Sequence, residues 1–144
     1  MYLSFVLSAT SRQDIMEELQ EIGLMDDDYD TDDDTDDGIN DIYCNDITLF
    51  FDPKFEDMQR LLDLYSGDIT VIANDVFANG DACCIRCSVN GEYMSLDGRE
   101  FHVTIWCKKY LRPVYSNTLL EEEGPCAVLN HKGIELFGQV KLVN

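Results

Sequence analysis

Two stretches of the chain alternate with period two and read as strands carrying polar chemistry on one face. In Glu100-Phe101-His102-Val103-Thr104-Ile105-Trp106, the side chains of His102, Thr104 and Trp106 share a face, and Val103, Ile105 and Cys107 share the other. In Cys44-Asn45-Asp46-Ile47-Thr48-Leu49-Phe50, Asp46 and Thr48 share a face in the same way. Side by side, the two strands would set Asp46, Thr48, His102 and Thr104 into one cleft. Residues 2–8 alternate as a first strand. Ile15, Leu19 and Ile22 recur at helical spacing after Ser11, which is expected to cap a helix over residues 12–22 that stops at Gly23. Asp52-Pro53 starts a second helix marked by Phe55, Met58, Leu61, Leu62 and Tyr65 and closed by Gly67. A strand begins at Ile69, Asn79-Gly80-Asp81 turns it into Ala82–Val89, and Asn117–Leu120 reads as one helical turn. Gly133 to Val143 reads as a last strand. The order β-α-β-α-β-β-β-β predicts an α+β fold, a mostly antiparallel sheet with two main helices packed on one side.

Composition changes this picture in two ways. At 144 residues, 45% of them apolar, the chain is long enough for one domain, residues 1–144, with a real core. Lys+Arg 10 against Asp+Glu 29 gives a net charge of −19, which repels a nucleic-acid backbone over a Debye length of about 8 Å. Long DNA or RNA is therefore not an expected partner. Met1-Tyr2-Leu3-Ser4-Phe5-Val6-Leu7 has no basic segment of the kind that opens a signal peptide, and no apolar run approaches membrane-spanning length. A cytoplasmic location, no membrane partner and six reduced, buried cysteines are expected.

Other candidate chemistry is weaker. The Asp-rich segment from Asp26 to Asp37, within an acidic loop at about residues 25–40, fails as a calcium loop. With Gly38 at the sixth loop position, Cys44 falls at the twelfth, where a bidentate carboxylate is needed. A solvated, self-repelling segment is the expectation, with docking on a basic protein as the functional alternative. Cys84-Ile85-Arg86-Cys87 lies within a strand pattern, where residues three apart point to opposite faces and cannot grip one ion, so no metal site is expected. His131 sits in a turn beside Gly133 and is expected at the surface.

The succession of an opening strand, Asn45-Asp46-Ile47-Thr48-Leu49, Phe101-His102-Val103-Thr104-Ile105 and Pro113-Val114-Tyr115-Ser116-Asn117 resembles the 2H phosphoesterase superfamily. The likeness is greatest to the small single-domain phage and bacterial branch that is also fused in RNA-repair proteins. The resemblance spans most of the chain. It implies a bilobal, pseudo-twofold α+β fold with two His-x-Thr/Ser motifs on central strands. It also implies metal-independent acid–base chemistry, without a cofactor, on a 2′,3′-cyclic, 2′,5′-linked or cyclic oligonucleotide phosphodiester. Some phage members degrade cyclic nucleotide signals of bacterial immunity. By that likeness His102 is the acid/base residue, Thr48 and Thr104 bind phosphate oxygens, and Tyr115, Ser116 and Asn117 shape a pocket wall. Trp106, of the same parity as His102, is a candidate for stacking a base, although a core role is the first expectation for a lone tryptophan on a strand. The first motif departs from the pattern, with Asp46 where the family has histidine. Imidazole near neutrality gives or takes a proton, whereas a carboxylate is a fair base, seldom an acid, and repels phosphate. Three readings stay open: an active phosphodiesterase using His102 and Asp46, a catalytically inactive scaffold that sequesters a nucleotide, and an acidic protein-interaction module.

Overall fold

The computed structural model describes residues 2–23, 40–65, 67, 69–79, 82–108, 115–122, 124–125, 127–128 and 133–143. Its elements in chain order are β1 (Tyr2–Leu7), α1 (Ala9–Glu21), β2 (Asn40–Ile42), β3 (Asp46–Phe51), α2 (Phe55–Tyr65) and β4 (Val71–Ala78). They continue with β5 (Ala82–Val89), β6 (His102–Lys108), α3 (Tyr115–Glu122), β7 (Ala127–Val128), β8 (Ile134–Leu136) and β9 (Gly138–Val143). The architecture is α+β, and every strand pairing is antiparallel, in the order β7-β4-β5-β6-β3-β1-β9 with β2 also on β6 and β8 also on β4. The acidic segment Asp26–Asp37, Pro113, Val114, Cys126 and His131 lie outside the described residues.

Local chemistry sets the helix ends. Ser8, not Ser11, caps α1: its hydroxyl accepts from the Ser11 amide at 3.2 Å. Ser11 is itself buried and accepts from the Phe137 amide at 2.7 Å. Gly23, with φ +80°, closes the helix in the left-handed region that a side chain would strain. Asp57 accepts from the Lys54 amide at 3.0 Å at the start of α2. Ile15 and Leu19 of α1 and Leu61 and Tyr65 of α2 join Phe5, Ile47, Val71, Ile85 and Val103 in the main core. Burying such side chains contributes roughly 1.5–3 kcal/mol each.

A second, smaller cluster lies on the opposite face of the sheet, where Leu119 and Leu120 of α3 cover Phe77, Cys84 and Cys107. The two main helices, α1 and α2, thus share the main core on one face, while α3, a full helix rather than a single turn, lies on the other. The last segment also differs from a single strand. Phe137 breaks it into β8, which pairs with β4, and β9, which pairs with β1, so that the C-terminal residues tie the two ends of the sheet together.

At the centre, β3 and β6 are neighbours with Ile47 facing Val103. Each is irregular against its outer partner at the residue after its threonine. Leu3 pairs with Phe50 and Ser4 with Thr48, leaving Leu49 as an extra residue in β3. Cys83 pairs with Trp106 and Cys84 with Thr104, leaving Ile105 as an extra residue in β6. Such bulges reverse the inside–outside alternation beyond them. Phe50 and Trp106 accordingly pack against the main core, while Cys107 turns to the second cluster.

Candidate functional site

Antiparallel pairing of Ile47 with Val103 sets Asp46 opposite Thr104 and Thr48 opposite His102. Ile47 and Val103 point into the main core, so all four polar side chains face the other way. They line one cleft of about 370 Å³, together with Asn117 at the start of α3. That volume is at the small end of the usual range for ligand sites. The register of β6 against the β2–β3 segment changes by two residues between Ile42–Trp106 and Ile47–Val103. Cys44, with φ +56°, sits in that irregularity and sends Asn45 and Asp46 toward the cleft.

His102 Nδ1 lies 2.9 Å from the Glu100 carbonyl oxygen. A carbonyl only accepts, so Nδ1 carries the proton and Nε2 holds the lone pair of the neutral ring. Burial lowers the pKa of His102 below its ordinary value, against the opposing pull of the Glu100 carbonyl and the Glu100 and Asp46 charges. At neutral pH the ring is thus an uncharged base.

Asp46 is engaged as an acceptor. The Ser4 hydroxyl donates to its Oδ2 at 2.5 Å, and the Tyr2 hydroxyl also hydrogen-bonds to it. Burial, then the Asp46 charge and that bond, raise the pKa of Tyr2 and keep its phenol protonated. Thr104 Oγ1 lies 2.7 Å from Ser116 Oγ, and Ser116 is buried. Ser116 therefore sits behind Thr104 as its support and does not form a pocket wall. Tyr115 begins α3, and its side chain is outside the described set. Trp106 is not in the cleft, because the bulge at Ile105 turns it to the core.

Further lining residues come from the ends of strands and from the connections between them. Tyr2, Tyr43 and Phe51 add aromatic surface, and Asp97, Arg99 and Glu100 come from the turn before β6. Asp97 accepts from the Phe51 amide at 3.0 Å and from the Ser95 hydroxyl, which fixes that turn against β3. The Arg99 guanidinium lies 4.9 Å from the Phe51 ring centroid, a cation–π contact. Glu100 is 3.6 Å from Arg86, whose other terminal nitrogen pairs with Asp75.

Among the described residues, the cysteines take no part in the cleft. Cys84 and Cys87 pack in different clusters on opposite faces of β5. Burial pushes the Cys44 thiol up to about 12 and raises Cys87 as well, which leaves both unreactive as nucleophiles. Among the described residues no group of three His, Cys, Asp or Glu is placed to hold a metal ion, and no helix is long and apolar enough to cross a membrane. No protein-family model, no curated protein and no solved structure matches the chain.

Proposed function

We propose that the cleft binds the phosphodiester of a nucleotide or short oligonucleotide in the manner of a 2H phosphoesterase, with one catalytic base in place of the usual histidine pair. The observation that carries this reading is the matched geometry of β3 and β6. Asp46-Ile47-Thr48 and His102-Val103-Thr104 run antiparallel as neighbours, cross at Ile47–Val103, and each bulges at the next residue. That match supports a reading of the pair as two related motifs around one phosphate.

In this reading Thr48 and Thr104 donate to the non-bridging oxygens, and Ser116 holds Thr104 in place. His102 Nε2 takes a proton from water as the water oxygen bonds to phosphorus. The bond from phosphorus to a ribose oxygen breaks, and that oxygen takes its proton from solvent. Asp46, already accepting from Ser4 and Tyr2, is not placed as the donor. Losing general-acid assistance lowers the rate by roughly 10²–10⁴. Binding with slow turnover is the expected behaviour, and it accommodates a sequestering role.

The test is incubation with a panel of 2′,3′-cyclic nucleotides, 2′,5′-linked dinucleotides and cyclic di- and trinucleotides, with chromatography of free and denaturation-released ligand. The expected result is that one class is bound and largely recovered intact, with a slow conversion that disappears in His102→Ala. Asp46→His is expected to speed conversion by about tenfold or more. No binding by any nucleotide would overturn the reading. Function lost on deleting residues 26–37 but kept in His102→Ala would favour the acidic interaction module.

A further inference from the structure

The charges lining the cleft are an odd set for a site that holds an anion. Among the described residues, three carboxylates, Asp46, Asp97 and Glu100, face one guanidinium, Arg99, which leaves a net charge of −2 on that part of the lining. The proton on His102 Nδ1 is committed to the Glu100 carbonyl, and the ring adds no charge. Behind Glu100, Arg86 is shared between Asp75 and Glu100, so Arg86 and Asp75 offset each other and leave that balance unchanged. Tyr2 is held as a neutral phenol, Tyr43 adds a second ring, and among the described side chains α3 contributes the amide of Asn117. The rest of the molecule deepens the field, with its net charge of −19.

Resting on the reading above, we infer that this cleft is a charge filter: it accepts a singly charged phosphodiester and rejects the phosphomonoester that hydrolysis of that diester would make. Water adds across one P–O ester bond. The water oxygen stays on phosphorus, one water proton goes to His102 and then to solvent, and the released ribose oxygen is protonated by solvent. The product carries about −1.5 to −2 near neutrality, where the substrate carried one charge. Each added charge meets an acidic lining in a partly desolvated cleft, where repulsion is stronger than in bulk water. Hydrogen bonds from the two threonines can hold one anionic charge against that field but not two. The acidity that weakens substrate binding therefore drives product out, and the carboxylates select ligand charge rather than act in the proton transfers.

The test is calorimetric titration of the full chain near neutral pH with adenosine 2′,3′-cyclic monophosphate and, separately, adenosine 3′-monophosphate. Chromatography confirms that the diester stays intact during the measurement. The expected result is that the diester binds at least about tenfold more tightly, a difference of ~1.4 kcal/mol. Glu100→Gln should narrow that ratio by about threefold or more, chiefly through better monoester binding. Asp46→Asn is a second variant with the same expected direction, should Glu100→Gln fail to fold. Equal binding of the two ligands, or tighter binding of the monoester, would overturn the filter and leave the nucleotide site standing. A ratio unmoved in both carboxylate variants would overturn it too. If neither ligand bound, the filter would fall, and the phosphodiester reading would fall with it only if the 2′,5′-linked and cyclic oligonucleotides also failed to bind.

Discussion

Ser116 does its work one atom behind the cleft. Its hydroxyl lies 2.7 Å from that of Thr104, and it is buried. Ser116→Ala should cost about 1 kcal/mol of stability and raise the KM for a bound diester more than it lowers kcat. Denaturant unfolding and steady-state kinetics check the two halves. For His102, the sign of pH dependence follows from its lowered pKa. The base must be unprotonated, so kcat/KM should fall in acid, with an inflection below the ordinary histidine value of about 6.5. Stability moves in the same direction. The unfolded chain takes up the proton at higher pH than the fold does, so between the two pKa values the unfolded state binds more protons. The His102 contribution is then present above about pH 6.5 and is lost as pH falls through the folded value. The difference in unfolding free energy between wild type and His102→Asn across pH 5–8 isolates it.

The strands and helices explain which parts of this architecture could be read from the chain. Period-two alternation placed His102, Thr104, Asp46 and Thr48 on one face, because nothing irregular lies between His102 and Thr104 or between Asp46 and Thr48. It misplaced Trp106, because a bulge at a β-branched apolar residue such as Ile105 leaves no compositional mark. The helix over Tyr115–Glu122 was legible only as one turn, since its inward stripe begins with a polar residue, Ser116, before Leu119 and Leu120. The turn that brings Asp97, Arg99 and Glu100 to the cleft has no periodicity, and its placement depends on the contact of Asp97 with the Phe51 amide. The break at Phe137 was also hidden, and it matters for β9. A Cβ on Gly138 would sit 2.0 Å from the Val6 carbonyl oxygen, so the close β1–β9 approach has room for glycine alone. Gly138→Ala should destabilise the fold by about 2–3 kcal/mol, read as a lower Tm and faster amide exchange in β9. By contrast, Leu61→Ala should cost about 2–5 kcal/mol by opening the core beneath α2, without touching the sheet edge.

Over the whole molecule, a net charge of −19 on 144 residues means that like charges oppose the compact state. Salt screens that repulsion, so Tm should rise from low to physiological ionic strength. Nucleotide affinity should rise with it, the reverse of the usual salt response for phosphate binding by cationic sites, and titrations at two ionic strengths check this directly. The bulge at Ile105 has a further consequence for the molecule as a whole. Trp106 is the single tryptophan, and it packs against the main core while the cleft is lined by Tyr2, Tyr43 and Phe51. The protein thus carries an indole packed on the core and phenol rings in the cleft as intrinsic optical probes. Selective excitation of the indole follows global unfolding with little disturbance from ligand, whereas tyrosine emission responds to occupancy of the cleft. Binding and stability can be watched in one cuvette, unlabelled, at different wavelengths.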